Sequence, residues 1–282
     1  MTDASRRSFL TTALGAAAIT PALNAYGATT DERAGDLKLG VASYSFREFG
    51  RHLAIADTKK LGVRYINIKD IHLPLTSTPD EIVKARAEFE KAGLTILGGG
   101  NVTFASTDES DIRHKFEYAK AAGMPLMVCA PTHETLPKME KYVKEYDIKI
   151  ALHNHGPEDK NFPTPQSVLD AVKNMDPRCG LCMDIGHTAR TGVDVVEWVS
   201  KAGPRLLDMH VKDLTDFTTK DSQVAVGDGK MPIAAIFREL QKMNYKGGVM
   251  LEYEVEGENP MPGMMKSFSY MRGVLAGLNS KA

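Results

Sequence analysis

The sequence predicts a single α/β domain, a (β/α)8 barrel. Three observations carry that prediction. Apolar strand-type runs alternate with amphipathic helical stretches along the chain. Eight such β-α units fit in roughly 240 residues, close to the usual barrel size of about 250. No G-x-G-x-x-G follows the first apolar run, which weakens the rival reading, a doubly wound open sheet.

The strands are read from apolar runs bounded by punctuation. They are LKLGVASYS (37–45), VRYINIK (63–69), LTILGG (94–99), PLMVCA (125–130), IKIALH (148–153), CGLCMD (179–184), RLLDMHV (205–211) and GGVMLEY (247–253). Amphipathic stretches lie between them, among them 78–93, 109–123, 134–146, 164–175 and 231–244, and a last helix at 259–278 closes the chain. Gly62, Gly93 and Gly123 each stand between a helix and the next strand. Glycine takes the left-handed conformation there at little cost, so these are expected helix ends. No internal repeat, low-complexity segment or linker divides residues 37–282, so that span reads as one domain.

The N-terminus reads differently. In SRRSFLTTALGAAAITPALNAYGA, Arg6-Arg7 precede Phe9-Leu10 and a weakly apolar run, with small residues at Ala25 and Gly27. This is the pattern of a twin-arginine export signal over residues 1–27, cleaved near Ala28 and followed by a polar leader, 28–36. It predicts a periplasmic or exported protein. Twin-arginine export carries folded proteins, which hints at a cofactor acquired before export. No other segment is apolar enough for a membrane span.

Among 282 residues, 43% are apolar and 25% charged, the proportions of an ordinary globular protein. The net charge is −1 with no basic block, so nucleic acid is not expected as a partner. Cys179 and Cys182 form a C-x-x-C, but on a strand their side chains are held apart, and the three thiols in the chain cannot close a four-cysteine zinc site. Buried free cysteines are expected. A homodimer is the starting expectation for assembly, as the commonest closed form.

In such barrels the active site lies at the C-terminal ends of the strands. The fifth strand ends in His153, the sixth in Asp184, the seventh near His210 and the eighth near Glu252. Singly, each has an ordinary explanation: a hydrogen-bonded histidine, a helix N-cap, a surface carboxylate. Four ligand-type residues at equivalent positions on consecutive strands point instead to one divalent metal site. Two imidazoles and two carboxylates suit Mn2+, Co2+, Zn2+ or Fe2+.

Around them stand further polar residues. His155 and Glu158 follow His153, His187 follows Asp184, and Lys212 follows His210. Lys69 ends the second strand, and Asp70 and His72 follow it. His155, His187, Lys212 and Lys69 are candidates for proton transfer near neutral pH. The alternative for Lys212 is a solvated pair with Asp213. For Asp70 and His72, loop capping competes with substrate contact.

The runs HNHGPE, MDIGHTARTG, HVKD and VGDGKMPIAAIFRELQKMNYKGGVMLEYE resemble the xylose isomerase-like barrels, often called sugar phosphate isomerases/epimerases. The likeness covers residues 37–278, and INIKDIHLPL resembles an exported bacterial branch. It implies a divalent ion, Mn2+ first, on His153, Asp184, His210 and Glu252. It implies substrate contact by His187, and a small sugar, keto sugar or cyclitol as substrate. One position departs from the pattern: His153 stands where family epimerases usually carry Glu. Two-carboxylate epimerisation therefore does not carry over intact, and Glu252 is the remaining carboxylate base candidate besides Asp184. The expected activity is a metal-dependent sugar isomerase or epimerase working by proton abstraction next to a carbonyl. A lyase cleaving 3-keto-glycosides by β-elimination is the runner-up. A non-catalytic sugar-binding protein and a metal-dependent nuclease are weaker readings.

Overall fold

The computed structural model describes residues 37–280; the expected signal and leader, 1–36, lie outside the described residues. Eight parallel strands close into a barrel. They are β1 (Lys38–Ala42), β2 (Tyr65–Ile68), β3 (Thr95–Phe104), β4 (Leu126–Pro131), β5 (Lys149–His153), β6 (Cys179–Asp184), β7 (Leu206–Val211) and β8 (Gly248–Leu251). Each strand pairs with its sequence neighbours, and β1 closes the circle against β8 through Lys38–Gly248 to Val41–Leu251.

The outer helices are α1 (Arg51–Lys60), α2 (Pro79–Lys91), α3 (Glu109–Ala121), α4 (Leu136–Tyr146), α5 (Pro165–Val172), α6 (Ile185–Arg190), α7 (Val195–Ala202), α8 (Ile233–Lys242) and α9 (Met261–Asn279). Local chemistry starts and stops them. Thr78 and Glu81 form a reciprocal capping box at α2, with Pro79 at its first position. Gly62, Gly93 and Gly123 take φ of 68, 79 and 70°, as expected of helix ends.

The strand–helix interface holds the large buried side chains, including Phe46, Phe89, Phe116, Phe237 and Phe268. Each such ring stabilises the fold by about 1.5–3 kcal/mol. Inside the barrel a smaller apolar cluster of Leu126, Val128, Ala151 and Cys182 forms a floor. Cys129, Cys179 and Cys182 are buried and free, as expected.

Two differences from the sequence reading bear on the site. β3 continues past residue 99 to Phe104, across a register shift. Gly98-Gly99-Gly100 allows close strand approach: a Cβ on Gly100 would collide with the Val128 carbonyl oxygen. The extension delivers Asn101 to the site. A short hairpin, Asp213–Leu214 against Gln223–Val224, also rises between β7 and β8.

Candidate metal centre

The ladder register explains why four strand ends meet. Asp184 on β6 lies opposite His210 on β7, and His153 on β5 lies opposite Cys182, two residues before Asp184. Alternate residues of a strand share one face, so all four side chains enter the barrel mouth. One ligand atom from each of His153, Asp184, His210 and Glu252 lies within 4.8 Å of the others. His153 Nε2 is 3.0 Å from His210 Nδ1, which is 3.1 Å from Glu252 Oε2; Asp184 Oδ2 is 3.7 Å from His153 Nε2. All four residues are buried.

These residues fit a divalent cation. Two imidazole nitrogens at 3.0 Å face each other, so a proton or a cation must stand between their lone pairs. Asp184 Oδ2 is buried and accepts no hydrogen bond. Burial holds His153 neutral, well below the ordinary histidine range. Burial opposes charge on His210, but the carboxylates around it, Glu252 first and then Asp208 and Asp184, together outweigh that and push it up to about 9. Without an ion, a proton on His210 therefore fills the gap that a metal takes when it binds.

Lys212 is the fifth member of the cluster. It is only 4% exposed, and Nζ lies 3.2 Å from Asp184 Oδ2 and 3.0 Å from Glu252 Oε2, with Glu254 in direct ion-pair contact. Burial opposes its charge, but the three carboxylates win and hold it protonated well above the ordinary lysine range. It is not the solvated partner of Asp213. That carboxylate is buried and accepts from the backbone N–H groups of Leu214, Gly227, Gly229 and Met231, organising the loop before α8.

His187 stands in the first turn of α6, whose cap is Asp184: Asp184 Oδ1 accepts from the His187 N–H at 2.8 Å. Arg190 Nη1 lies 3.1 Å from His187 Nδ1. A guanidinium has only donors, so Nδ1 is the acceptor and the ring carries its proton on Nε2. Burial lowers the His187 pKa and keeps the ring neutral. Glu158 is 61% exposed at its side chain and grips the other arm of Arg190. It thus reaches the site through Arg190 and His187.

The His155 ring lies 4.3 Å from that of His153. Its Nδ1 meets Asp159 Oδ2 at 3.1 Å, so Asp159 rather than Glu158 orients it, and its Nε2 meets Asn101 Nδ2 at 2.9 Å. Lys69 donates to the Asn101 carbonyl at 3.1 Å and pairs with the exposed Asp70 at 3.4 Å. Of the residues after β2, then, Lys69 joins the rim. His72 does not, which corrects its expected substrate role. It is fully buried, with Nδ1 on Ser43 Oγ at 2.8 Å and Nε2 on the Phe49 and Phe46 carbonyls at 3.1 and 3.3 Å, tying two loops together.

Several residues of the site went unread in the sequence. Asn154 fixes β6 against α6: its Oδ1 accepts from the Asp184 N–H and its Nδ2 donates to Thr188 Oγ1. Asp208 sits two residues before His210, so strand alternation could have found it. Burial pushes its carboxyl up to about 7, and it accepts from Asn67 Nδ2 at 2.7 Å. A cavity of about 440 Å3 lies beside the cluster and meets it through Lys212; its lining includes His187, Arg190, Lys212, Gln223 and Glu254 and none of the four ligand residues.

A family model described as "Xylose isomerase-like TIM barrel" matches residues 55–274. An inosose dehydratase of Clostridium tetani is 24% identical over 155 residues, 49% of this chain and 51% of that protein. The chain thus spans about half the length of the curated relatives it matches. Among solved structures, IolI with a bound zinc atom superposes with a TM-score of 0.73 at 19% identity, covering 87% of this chain and 100% of that one. The 3-keto-D-glucoside 4-epimerase YcjR of E. coli gives 0.68 at 14%, covering 84% and 100%. At such identities these two structures speak for the fold alone. The matched residues run from α1 into α9, and the chain belongs to the xylose isomerase-like TIM barrel family.

Proposed function

We propose that this protein is a divalent-metal-dependent enzyme that removes the proton next to the carbonyl of a small sugar or keto sugar and returns it, as an isomerase or epimerase. The observation that carries this reading is the convergence of His153, Asp184, His210 and Glu252 within 4.8 Å, beside a cavity of about 440 Å3 lined by His187 and Lys212. A divalent ion held there supplies Lewis acidity, stabilising negative charge that develops on a carbonyl oxygen. Mn2+ is the first metal to test. Glu252, held ionised by His210 and Lys212 against its burial, is placed to take the proton. His187, with its proton on Nε2, is a neutral donor for a substrate oxygen. His155, held by Asp159 and Asn101, guards the other side of His153. Lys212 neutralises the carboxylates and faces the cavity. The inosose dehydratases among the similar proteins support an enzyme that acts on a small polyol-type substrate. The Arg6-Arg7 pattern supports export, so the substrate is one found outside the cytoplasm.

A second reading, β-elimination from a keto sugar or keto glycoside, is favoured by one observation. β5 ends in His153, so no carboxylate stands there to work the opposite face of the substrate carbon. One base and a neutral donor such as His187 suit departure of a β-substituent. The test is NMR in D2O of the Mn2+-loaded and chelated protein with a 3-keto-glucoside and with free ketohexoses. Deuterium at the α-carbon with an isomeric sugar supports the first reading; metal-dependent release of the aglycone supports the second. No exchange and no turnover across the panel sinks both.

A further inference from the structure

One step deeper in the barrel, under the cluster of four, lies a second set of donors. Cys182 precedes Asp184 by two residues on β6 and so shares its inward face. It is the ladder partner of His153 on one side and Asp208 on the other. Its sulfur lies within 4.8 Å of ligand nitrogens of His153 and His210, and all three residues are buried.

The two histidines have nitrogens to spare. His153 Nε2 and His210 Nδ1 face each other at the upper position. His210 Nε2 turns toward Asp208 Oδ2 at 3.8 Å, and that oxygen lies 3.7 Å from Cys182 Sγ. His210 Nε2 and His153 Nδ1 are buried with no hydrogen-bond partner, a cost that the upper position does not explain.

We propose that a strongly thiophilic divalent cation, Cd2+, binds at this lower position on His153, Cys182 and His210, with Asp208 beside it. A nitrogen–sulfur donor set selects such ions, whereas the oxygen-rich upper set of Asp184 and Glu252 suits Mn2+. Binding exchanges the Cys182 S–H bond for a sulfur–metal bond and displaces the proton that His210 carries without an ion; of the two protons released, one has Asp208 as its adjacent acceptor and the other leaves to solvent. The two positions lie one ladder step apart and share His153 and His210, so two divalent ions there would repel each other strongly and one chain holds one ion at a time. A thiophilic ion at the lower position lies a ladder step further from the cavity, and the nature of the ion decides which site is filled. This inference needs the two histidines, not the reaction proposed above.

The test is Cd2+ titration of the metal-free full chain, followed by near-ultraviolet thiolate-to-metal charge transfer. The expected result is a band saturating at one ion per chain, lost in Cys182→Ser and kept in Cys129→Ser and Cys179→Ser. Cd2+ affinity should fall at least about tenfold in Cys182→Ser. The double variant Asp184→Asn/Glu252→Gln should keep the band while losing Mn2+ binding, which separates the lower position from the upper. Should Cys182→Ser not fold, the 113Cd chemical shift of the wild-type complex distinguishes a sulfur ligand from an all-nitrogen-and-oxygen set. A wild-type complex without the band, a band that survives in Cys182→Ser, or one that disappears in the double variant overturns the proposal.

Discussion

Lys212 offers the sharpest test of how the site is held together. Its ammonium is the cation common to Asp184, Glu252 and Glu254, in a setting only 4% exposed. Lys212→Met keeps the length and apolar stem of the side chain and removes the charge. Three carboxylates are then left close together, with His210 as the remaining adjacent cation when no metal is bound. Breaking a buried ion pair by deleting one partner costs about 3–5 kcal/mol. In a domain of this size each kcal/mol moves Tm by about 2–4 °C, so the metal-free variant should melt roughly 6–20 °C below wild type. A divalent ion brings the missing positive charge, so saturating Mn2+ should return part of that loss and raise the variant's Tm more than the wild type's. Differential scanning calorimetry with and without chelator reads both effects. A metal-free variant within about 2 °C of wild type, with no larger response to Mn2+, would refute the reasoning.

Other predictions follow from single contacts. Arg190→Ala removes the donor that fixes the proton of His187 on Nε2; 15N shifts should show a mixed tautomer, and turnover should fall about 10–100-fold, while Glu158→Gln should have the same effect in weaker form. His72 is kept neutral by burial, its pKa below the ordinary 6.5. Its stabilising contribution is therefore complete above pH 6.5 and is lost as pH falls below it, by at most about 1.4 kcal/mol per pH unit. Denaturant unfolding of wild type and His72→Gln between pH 7 and 5 should converge as pH falls, whereas parallel curves would contradict the assignment. Asp213→Asn keeps the shape but weakens four backbone contacts, so a loss of about 1–3 kcal/mol and faster proteolysis within residues 225–231 are expected.

The sequence made the barrel and the four strand ends legible for one reason. Buried parallel strands are continuous apolar runs, and a ligand-type residue at the end of such a run has nowhere to go but the barrel mouth. His153, Asp184, His210 and Glu252 are all of this kind. What was not legible depends on contacts between distant loops. Asn101 reaches His155 only because β3 runs on through three glycines. Asp159 and Glu158 look interchangeable in sequence, and only the turn after β5 decides that the first holds His155 and the second Arg190. His72 follows β2 as a rim residue does, yet the loop folds it inward onto Ser43 and the Phe46 and Phe49 carbonyls. Lys212 could be placed on the face of His210 by strand alternation, but not the three carboxylates around it, because Glu254 comes from beyond the end of β8.

The most direct measurement is Mn2+ stoichiometry and affinity, by electron paramagnetic resonance on purified protein, for wild type, His210→Ala and Asp184→Asn. The account predicts one Mn2+ per wild-type chain and at least about tenfold weaker binding in each variant, with circular dichroism unchanged. Undiminished Mn2+ binding in both folded variants would contradict it, because the ion would then lie somewhere other than the ends of β5 to β8.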